Sequence, residues 1–136
     1  MTTQFEFSGQ YVYPGDEPGI TLPTTLCYGD YVYRTSAKVD TGSEVCLFKH
    51  EIALKLDLPL QDGIPITLNS LSGSVEAYGH EVTLQTCDMA FTSFVYFAKY
   101  PGLRRNLLGR QGWLRQLRIA IVDYDNLIYL SRYDEF

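Results

Sequence analysis

Ala37-Lys38-Val39-Asp40-Thr41-Gly42-Ser43-Glu44-Val45-Cys46-Leu47-Phe48 sets an acidic residue at a tight turn between two apolar arms. Asp and Gly both favour turns, Gly because it enters backbone conformations that other residues avoid. The stretch therefore reads either as an ordinary hairpin turn or as a strand, loop and strand that hold a carboxylate in place. An aspartate acts on a peptide bond when it deprotonates water while a neighbouring acid protonates the carbonyl oxygen, which requires two carboxyls close enough to share a proton. Two charges that close are costly, so one pKa rises and the pair titrates as a unit. No second Asp-Thr-Gly or Asp-Ser-Gly occurs in the chain: Asp62-Gly63 and Asp123-Tyr124-Asp125 lack the hydroxyl residue and read as turns. One chain thus carries half of a pair, and a symmetric homodimer in which Asp40 faces its symmetry mate is the expectation.

Upstream of Asp40, residues 21–28 and 31–39 are β-rich runs joined by Tyr28-Gly29-Asp30, a hairpin whose second strand runs directly into the acid. Alternation along that strand turns Lys38 outward. Phe5, Phe7, Tyr11 and Tyr13 alternate as in a half-exposed strand until Pro14-Gly15-Asp16-Glu17-Pro18-Gly19 breaks the pattern, so residues 1–20 read as an N-terminal arm outside the core. Downstream, 44–48 reads as a short strand and 50–58 as a helix carrying Ile52, Leu54, Leu56 and Leu58, stopped by Pro59. Residues 64–69 and 74–78 form a hairpin about Ser70-Leu71-Ser72-Gly73, and 79–84 and 90–97 are further strands, the second apolar enough to be central. Asn106-Leu107-Leu108-Gly109 follows the break at Pro101-Gly102 and leads into an expected amphipathic helix at 110–117, with Trp113, Leu114 and Leu117 on one side. Strands at 118–122 and 126–130 close the chain. Many short strands, Gly-rich turns and one or two short helices predict an all-β barrel or sandwich.

Composition narrows the partners. At 136 residues, with 46% hydrophobic and 14% aromatic content, the chain is a single folded domain spanning 1–136. Its 11 Lys+Arg against 16 Asp+Glu, a net charge of −5, lack the basic footprint of a nucleic-acid binder, and the cations from Arg104 to Arg118 read as a solvated surface. Cys27, Cys46 and Cys87 are odd in number and widely spaced, which indicates neither a disulfide framework nor a zinc site; His50 and His80 lack ligand spacing, so no metal or other cofactor is expected. A Cys46–His80 nucleophilic pair stays open as a competing chemistry. With no basic n-region, no apolar h-region and no membrane-length run, the expected setting is soluble and cytoplasmic, away from membranes.

The turn and the later Leu107-Leu108-Gly109-Arg110 together resemble the retropepsin-type aspartic proteases, homodimeric relatives of pepsin. Asp40-Thr41-Gly42-Ser43 matches that family's Asp-Thr/Ser-Gly-Ala/Ser signature after an apolar strand. Leu107-Leu108-Gly109 matches its second motif of two hydrophobics and a Gly, and a hairpin lies between them. The resemblance spans roughly residues 21–130. It implies a retropepsin-like barrel that cleaves peptide bonds as an endopeptidase, with peptide or protein substrates. Asp40 is implied as the catalytic carboxylate, Thr41 in a hydrogen-bonded grip between the two active-site loops, and Gly42 as a backbone contact to substrate. Leu107, Leu108 and Gly109 would brace the loop from beneath, and Leu71, Ser72, Gly73 and Ser74 would form the tip of a flap over substrate. Either the Phe5/Phe7 arm or the strand at 127–130 would pair across the two-fold axis. Many retroviral members carry Ala after the Gly; here the Ser43 hydroxyl is expected to hydrogen-bond the carboxylate and lower its pKa, giving an acid-side optimum. The competing class is a dimeric binding module of the same fold that has little or no turnover.

Overall fold

The computed structural model describes residues 1–71 and 73–135 of the chain, and its architecture is all-β. β2 (Thr21–Tyr28) and β3 (Tyr31–Val39) form the anticipated hairpin, paired from Thr21 with Lys38 to Tyr28 with Tyr31, and Gly29 supplies the left-handed turn at φ 60°. β2 alternates, burying Leu22, Thr24 and Leu26. β5 (Ile64–Ser70) and β6 (Gly73–Thr86) make the second hairpin. β6 continues through Gly79 without a break, so the two strands expected at 74–78 and 79–84 are one. The rings of Phe94 and Tyr96 occupy the space where a side chain on residue 79 would sit, and a Cβ there would lie 2.4 Å from Phe94. Glycine here makes room for packing, not for a turn.

β6 pairs on its other side with β7 (Met89–Ala98), and β7 pairs in parallel with the two-residue β4 (Leu47–Phe48). β8 (Leu107–Leu108) sits between β4 and β3, and β2 pairs with β6 as well as β3. The order β2-β3-β8-β4-β7-β6 therefore closes on itself, with β5 attached outside the ring. Phe48, Phe97, Leu22, Leu84, Leu108 and Trp113 fill the interior, each fully buried. The expected strand at 44–48 shrinks to β4 plus a single bridge from Val45 to Gln111.

Two helical expectations change. α1 (His50–Lys55) stops short of residue 58, because the apolar residues at 52, 54, 56 and 58 recur every second position and only part of that set fits a helix face. Ile52, Leu56 and Leu58 are buried while Leu54 is 63% exposed, and Asp57 turns left-handed at φ 51° to end the helix. The helix expected at 110–117 is absent except for one 3₁₀ turn at Leu114–Gln116. Arg110 and Gln111 give their N–H groups to Ser43 and Glu44, and Gly112 takes φ 92°, so the backbone is committed elsewhere. Trp113 still reaches the core, and its Nε1 donates to Thr86 Oγ1 at 3.0 Å.

A second sheet of three strands orders β1 (Gly9–Val12), β10 (Leu127–Arg132) and β9 (Leu117–Val122). Phe5 and Phe7 precede β1 and are not in a strand, while Tyr13, just after it, is buried in the main core. The arm is thus anchored, contrary to the expectation that residues 1–20 stay outside the core. β10 is paired on both edges within its own chain, so residues 127–130 have no free edge with which to pair across a two-fold axis; β1 occupies it instead. No helix among the described residues is long and apolar enough to cross a membrane.

Tyr13 ties the arm to the turn between β9 and β10 by donating its hydroxyl to Asp123 Oδ1. Burial, reinforced by that hydrogen bond and the Asp123 charge, pushes its phenol up to about 12. A raised phenol pKa favours the neutral folded form, so the stability it contributes is complete below the ordinary value of 10.0 and lost as pH rises through about 12. Urea unfolding across this interval should show the parent chain losing stability more steeply than Tyr13→Phe. Parallel curves for the two proteins contradict the assignment.

Candidate functional site

β3 reaches Asp40 flanked by hydrogen bonds on both sides. Lys38 N–H donates to Asn106 O (2.8 Å) and Asp40 N–H to Leu108 O (2.9 Å), while Val39 N–H donates the other way, to Ile20 O (2.8 Å). The parallel register of Lys38 with Leu107 and Val39 with Leu108 thus delivers Asp40 to the end of a clamped strand. Beyond it the chain turns at once: Gly42 N–H donates to Asp40 Oδ1 (3.1 Å) and Ser43 N–H to Asp40 O (3.1 Å). The side chain therefore shapes its own loop, as aspartate does in turns, and one carboxylate oxygen already has a backbone donor. Asp40 is half-buried; Thr41 and Gly42 are exposed at the loop tip.

The second motif meets this loop from the other side. Arg110 N–H donates to Ser43 O (2.9 Å) and Gln111 N–H to Glu44 O (2.8 Å). Gly109 passes so close that a Cβ would stand 2.1 Å from Val45 O and 2.7 Å from Ser43 O, which leaves room for no residue but glycine. Leu108 is fully buried beneath the loop, and Leu107 is partly exposed. Leu107-Leu108-Gly109 therefore holds both limbs of the Asp40 turn, Leu108 through its carbonyl and Gly109 through its missing side chain.

Asn106, which the sequence reading left unassigned, completes the framework. It is 3% exposed; its Oδ1 accepts from Lys49 N–H (2.9 Å) and its Nδ2 donates to Ser36 O (3.0 Å) and Thr35 Oγ1 (3.3 Å). One side chain joins β3, β8 and the entry to α1. The available signal was weak: extended alternation puts Asn106 on the face of the buried Leu108, but its residue type gives no sign of burial.

The Ser43 hydroxyl does not serve the carboxylate. Its Oγ donates to Val45 O at 2.7 Å, and a hydroxyl has one proton to give, so the argument for an acid-side optimum loses its basis. Cys46 and His80 likewise do not form a pair. The Cys46 thiol donates to Gln111 O (3.4 Å) and accepts from Gly109 N–H (3.4 Å), and burial pushes it up to about 12, against a weaker downward pull from Gly109. His80 instead places Nε2 2.8 Å from Leu60 O. A neutral, enclosed thiol with no imidazole beside it is a poor nucleophile. Among the described residues no group of three or more His, Cys, Asp or Glu side chains is arranged to hold a metal ion.

An open cleft of about 930 Å³ runs beside the site, between Thr67, Ser74, Val75 and Glu76 of the β5–β6 hairpin and the segment from Tyr100 to Arg105. Asp40 does not line it; Leu107 does, and joins it to the strand pair that carries Asp40. Of the hairpin tip, Leu71 is fully exposed, Gly73 turns at φ 131° and receives a hydrogen bond at its carbonyl from Ser70 Oγ (3.0 Å), and Ser74 pairs with Asn69. Ser72 lies outside the described residues. Within one chain the structure brings Asp40, Thr41, Gly42 and Ser43 together with Leu107, Leu108 and Gly109, while of the hairpin tip Ser74 meets this group only through the cleft that it lines with Leu107. No family model matches the chain, and no curated protein matches it.

Removing the buried Asn106 side chain should cost Lys49 N–H and Ser36 O their partner at part-buried positions, at about 1 kcal/mol or more. Asn106→Ala, measured by urea unfolding, is expected to show that loss; a change within about 0.5 kcal/mol, as at ordinary surface sites, contradicts the framework role.

Proposed function

We propose that the protein is an aspartic endopeptidase of the retropepsin kind, a homodimer whose two Asp40 carboxyls share a proton across a two-fold axis. The observation that carries this reading is the loop itself. Asp40 ends a strand clamped by Leu108 O, its carboxylate is oriented by Gly42 N–H, and its tip at Thr41 and Gly42 is open to a second copy. A buttress of this kind on a half-buried carboxylate fits a group whose position matters to a fraction of an ångström.

In the proposed reaction a water molecule lies between the paired carboxyls, one ionised and one protonated. The ionised Asp40 takes a proton from the water as its oxygen attacks the scissile carbonyl carbon, and the protonated Asp40 of the second copy donates to the carbonyl oxygen. The resulting gem-diol collapses when one of its hydroxyls returns a proton to a carboxylate and the amide nitrogen is protonated. The C–N bond then breaks, leaving an acid and an amine with the dyad again singly protonated. Thr41 hydroxyls would lock the two loops, and Gly42 would let the substrate backbone approach. The Val75, Leu103 and Leu107 side of the cleft favours extended peptides with apolar side chains near the scissile bond. The free thiols Cys27, Cys46 and Cys87 support a reducing compartment such as the cytoplasm as the place of action.

Incubation with a mixed peptide library over a range of pH tests the proposal. The parent protein should cleave, a statine-containing peptide should inhibit it, and Asp40→Asn should lower kcat/KM by about 10²- to 10⁴-fold or more while leaving the fold intact. Absence of cleavage at every pH, from a protein that still dimerises, assigns the same fold to a binding module. Cleavage that survives Asp40→Asn overturns the mechanism.

A further inference from the structure

Arg104 and Arg105 border two cavities. One is the cleft; the other, of about 240 Å³, is walled by β3, the turn around Glu17 and Pro18, Lys49 at the entry to α1, and Arg104, Arg105 and Asn106. Lys38, Lys49, Arg104 and Arg105 all line it against one carboxylate, Glu17, in a chain whose net charge is −5. Among the described residues the one ion pair within 4 Å joins Lys99 to Glu76, so none of these four cations is neutralised by a carboxylate at that range.

The positions are held by the fold. The Lys38 stem crosses Gly19, which sits at φ 89°, and a Cβ there would stand 2.6 Å from Lys38 Cε. Alternation turned Lys38 outward, but it is only partly exposed, laid against this turn. Arg105 Nη1 donates to Pro18 O (3.2 Å), and the Lys49 backbone is pinned by Asn106 Oδ1. Gathering like charges around one hollow costs energy that scattering them over the surface would avoid, and a bound anion removes that cost.

We propose that this cavity is a binding site for a phosphate group, free or carried as a phosphomonoester on a small molecule. Phosphate is close to doubly charged near neutrality and offers oxygens in several directions, which suits a hollow lined by Lys38, Lys49, Arg104 and Arg105 from three segments of the chain. A single carboxylate would engage one fork and leave the other cations unanswered. The site is separate from Asp40 and does not depend on the proposed peptidase activity.

Isothermal titration with inorganic phosphate, at low ionic strength held constant with chloride, tests the site, with phenyl phosphate as a second arm. The parent protein should bind phosphate saturably, more weakly as salt is added. Lys49→Gln combined with Arg104→Gln should weaken binding by roughly tenfold or more, whereas Arg115→Gln, on an exposed turn outside the cavity, should not. Should the double variant fail to fold, Arg104→Gln alone is expected to give an intermediate weakening. Saturable binding of phenyl phosphate alone upholds the site and assigns it to esters; binding of both shows that the group itself suffices. No saturable binding of either, or binding undiminished by the cavity substitutions, overturns the inference.

Discussion

The hydrogen bond from Asp40 N–H to Leu108 O is a single bond beside a parallel pairing of two residues, yet the arrangement of the site rests on it. β8 lies between β3 and β4, so Leu107 and Leu108 are held from both sides: by Lys38 and Val39 in parallel, and by Leu47 in the opposite sense. Because β8 is only two residues long, it has little ladder of its own. Its register depends on the burial of Leu108 below, on Gly109 against the carbonyls of Ser43 and Val45, and on Asn106 above. These are packing and satisfaction constraints acting on backbone atoms, and together they leave the Asp40 turn little freedom. The loop gains its order from residues some seventy positions away.

That distance explains which parts of the fold were legible in the sequence. The β2–β3 hairpin was readable because its cause is local: alternating residues on either side of Gly29. The β5–β6 hairpin was readable for the same reason. Residues 110–117 misled because Trp113, Leu114 and Leu117 have helical spacing, while the true determinant is a long-range bridge that takes the N–H groups of Arg110 and Gln111. Gly109 and Gly112 were the local warning, two helix-weakening residues within one turn. At Gly79 the same residue type misled in the opposite direction, suggesting a break where the strand runs on beneath two rings.

The site divides in the same way. The carboxylate and its tight turn follow from residue type at short range, whereas the bracing of the loop by Gly109 was implied only by the family resemblance; the structure sets Gly109 against the carbonyls of Ser43 and Val45. The role of Asn106 was not legible, since a buried polar side chain satisfied by three partners on two separate segments has no periodic signature. The destination of the Ser43 hydroxyl was decided by a carbonyl two residues ahead, not by the carboxylate three residues behind. The arm shows a third pattern. Its aromatic alternation was visible, but its anchoring in the core through Tyr13 and its place on the edge of β10 depend on contacts with the far end of the chain. Charge behaves similarly, for the four cations around the cavity beside Asn106 come from three separated segments of an acidic chain.

A dyad needs a second carboxyl, and a single chain offers only one at this loop. Because both edges of β10 are taken within the chain, a two-fold arrangement has to use other surfaces, and the exposed tip at Thr41 and Gly42 is where the reading requires the copies to meet. The measurement that addresses this most directly is a crystal structure of the protein bound to a statine-containing peptide. The account predicts a two-fold axis between the Asp40 turns of two copies, with their carboxyls about 3 Å apart and the statine hydroxyl between them. A structure in which Asp40 stands alone on a solvent-facing loop, with the peptide absent or bound elsewhere, contradicts it.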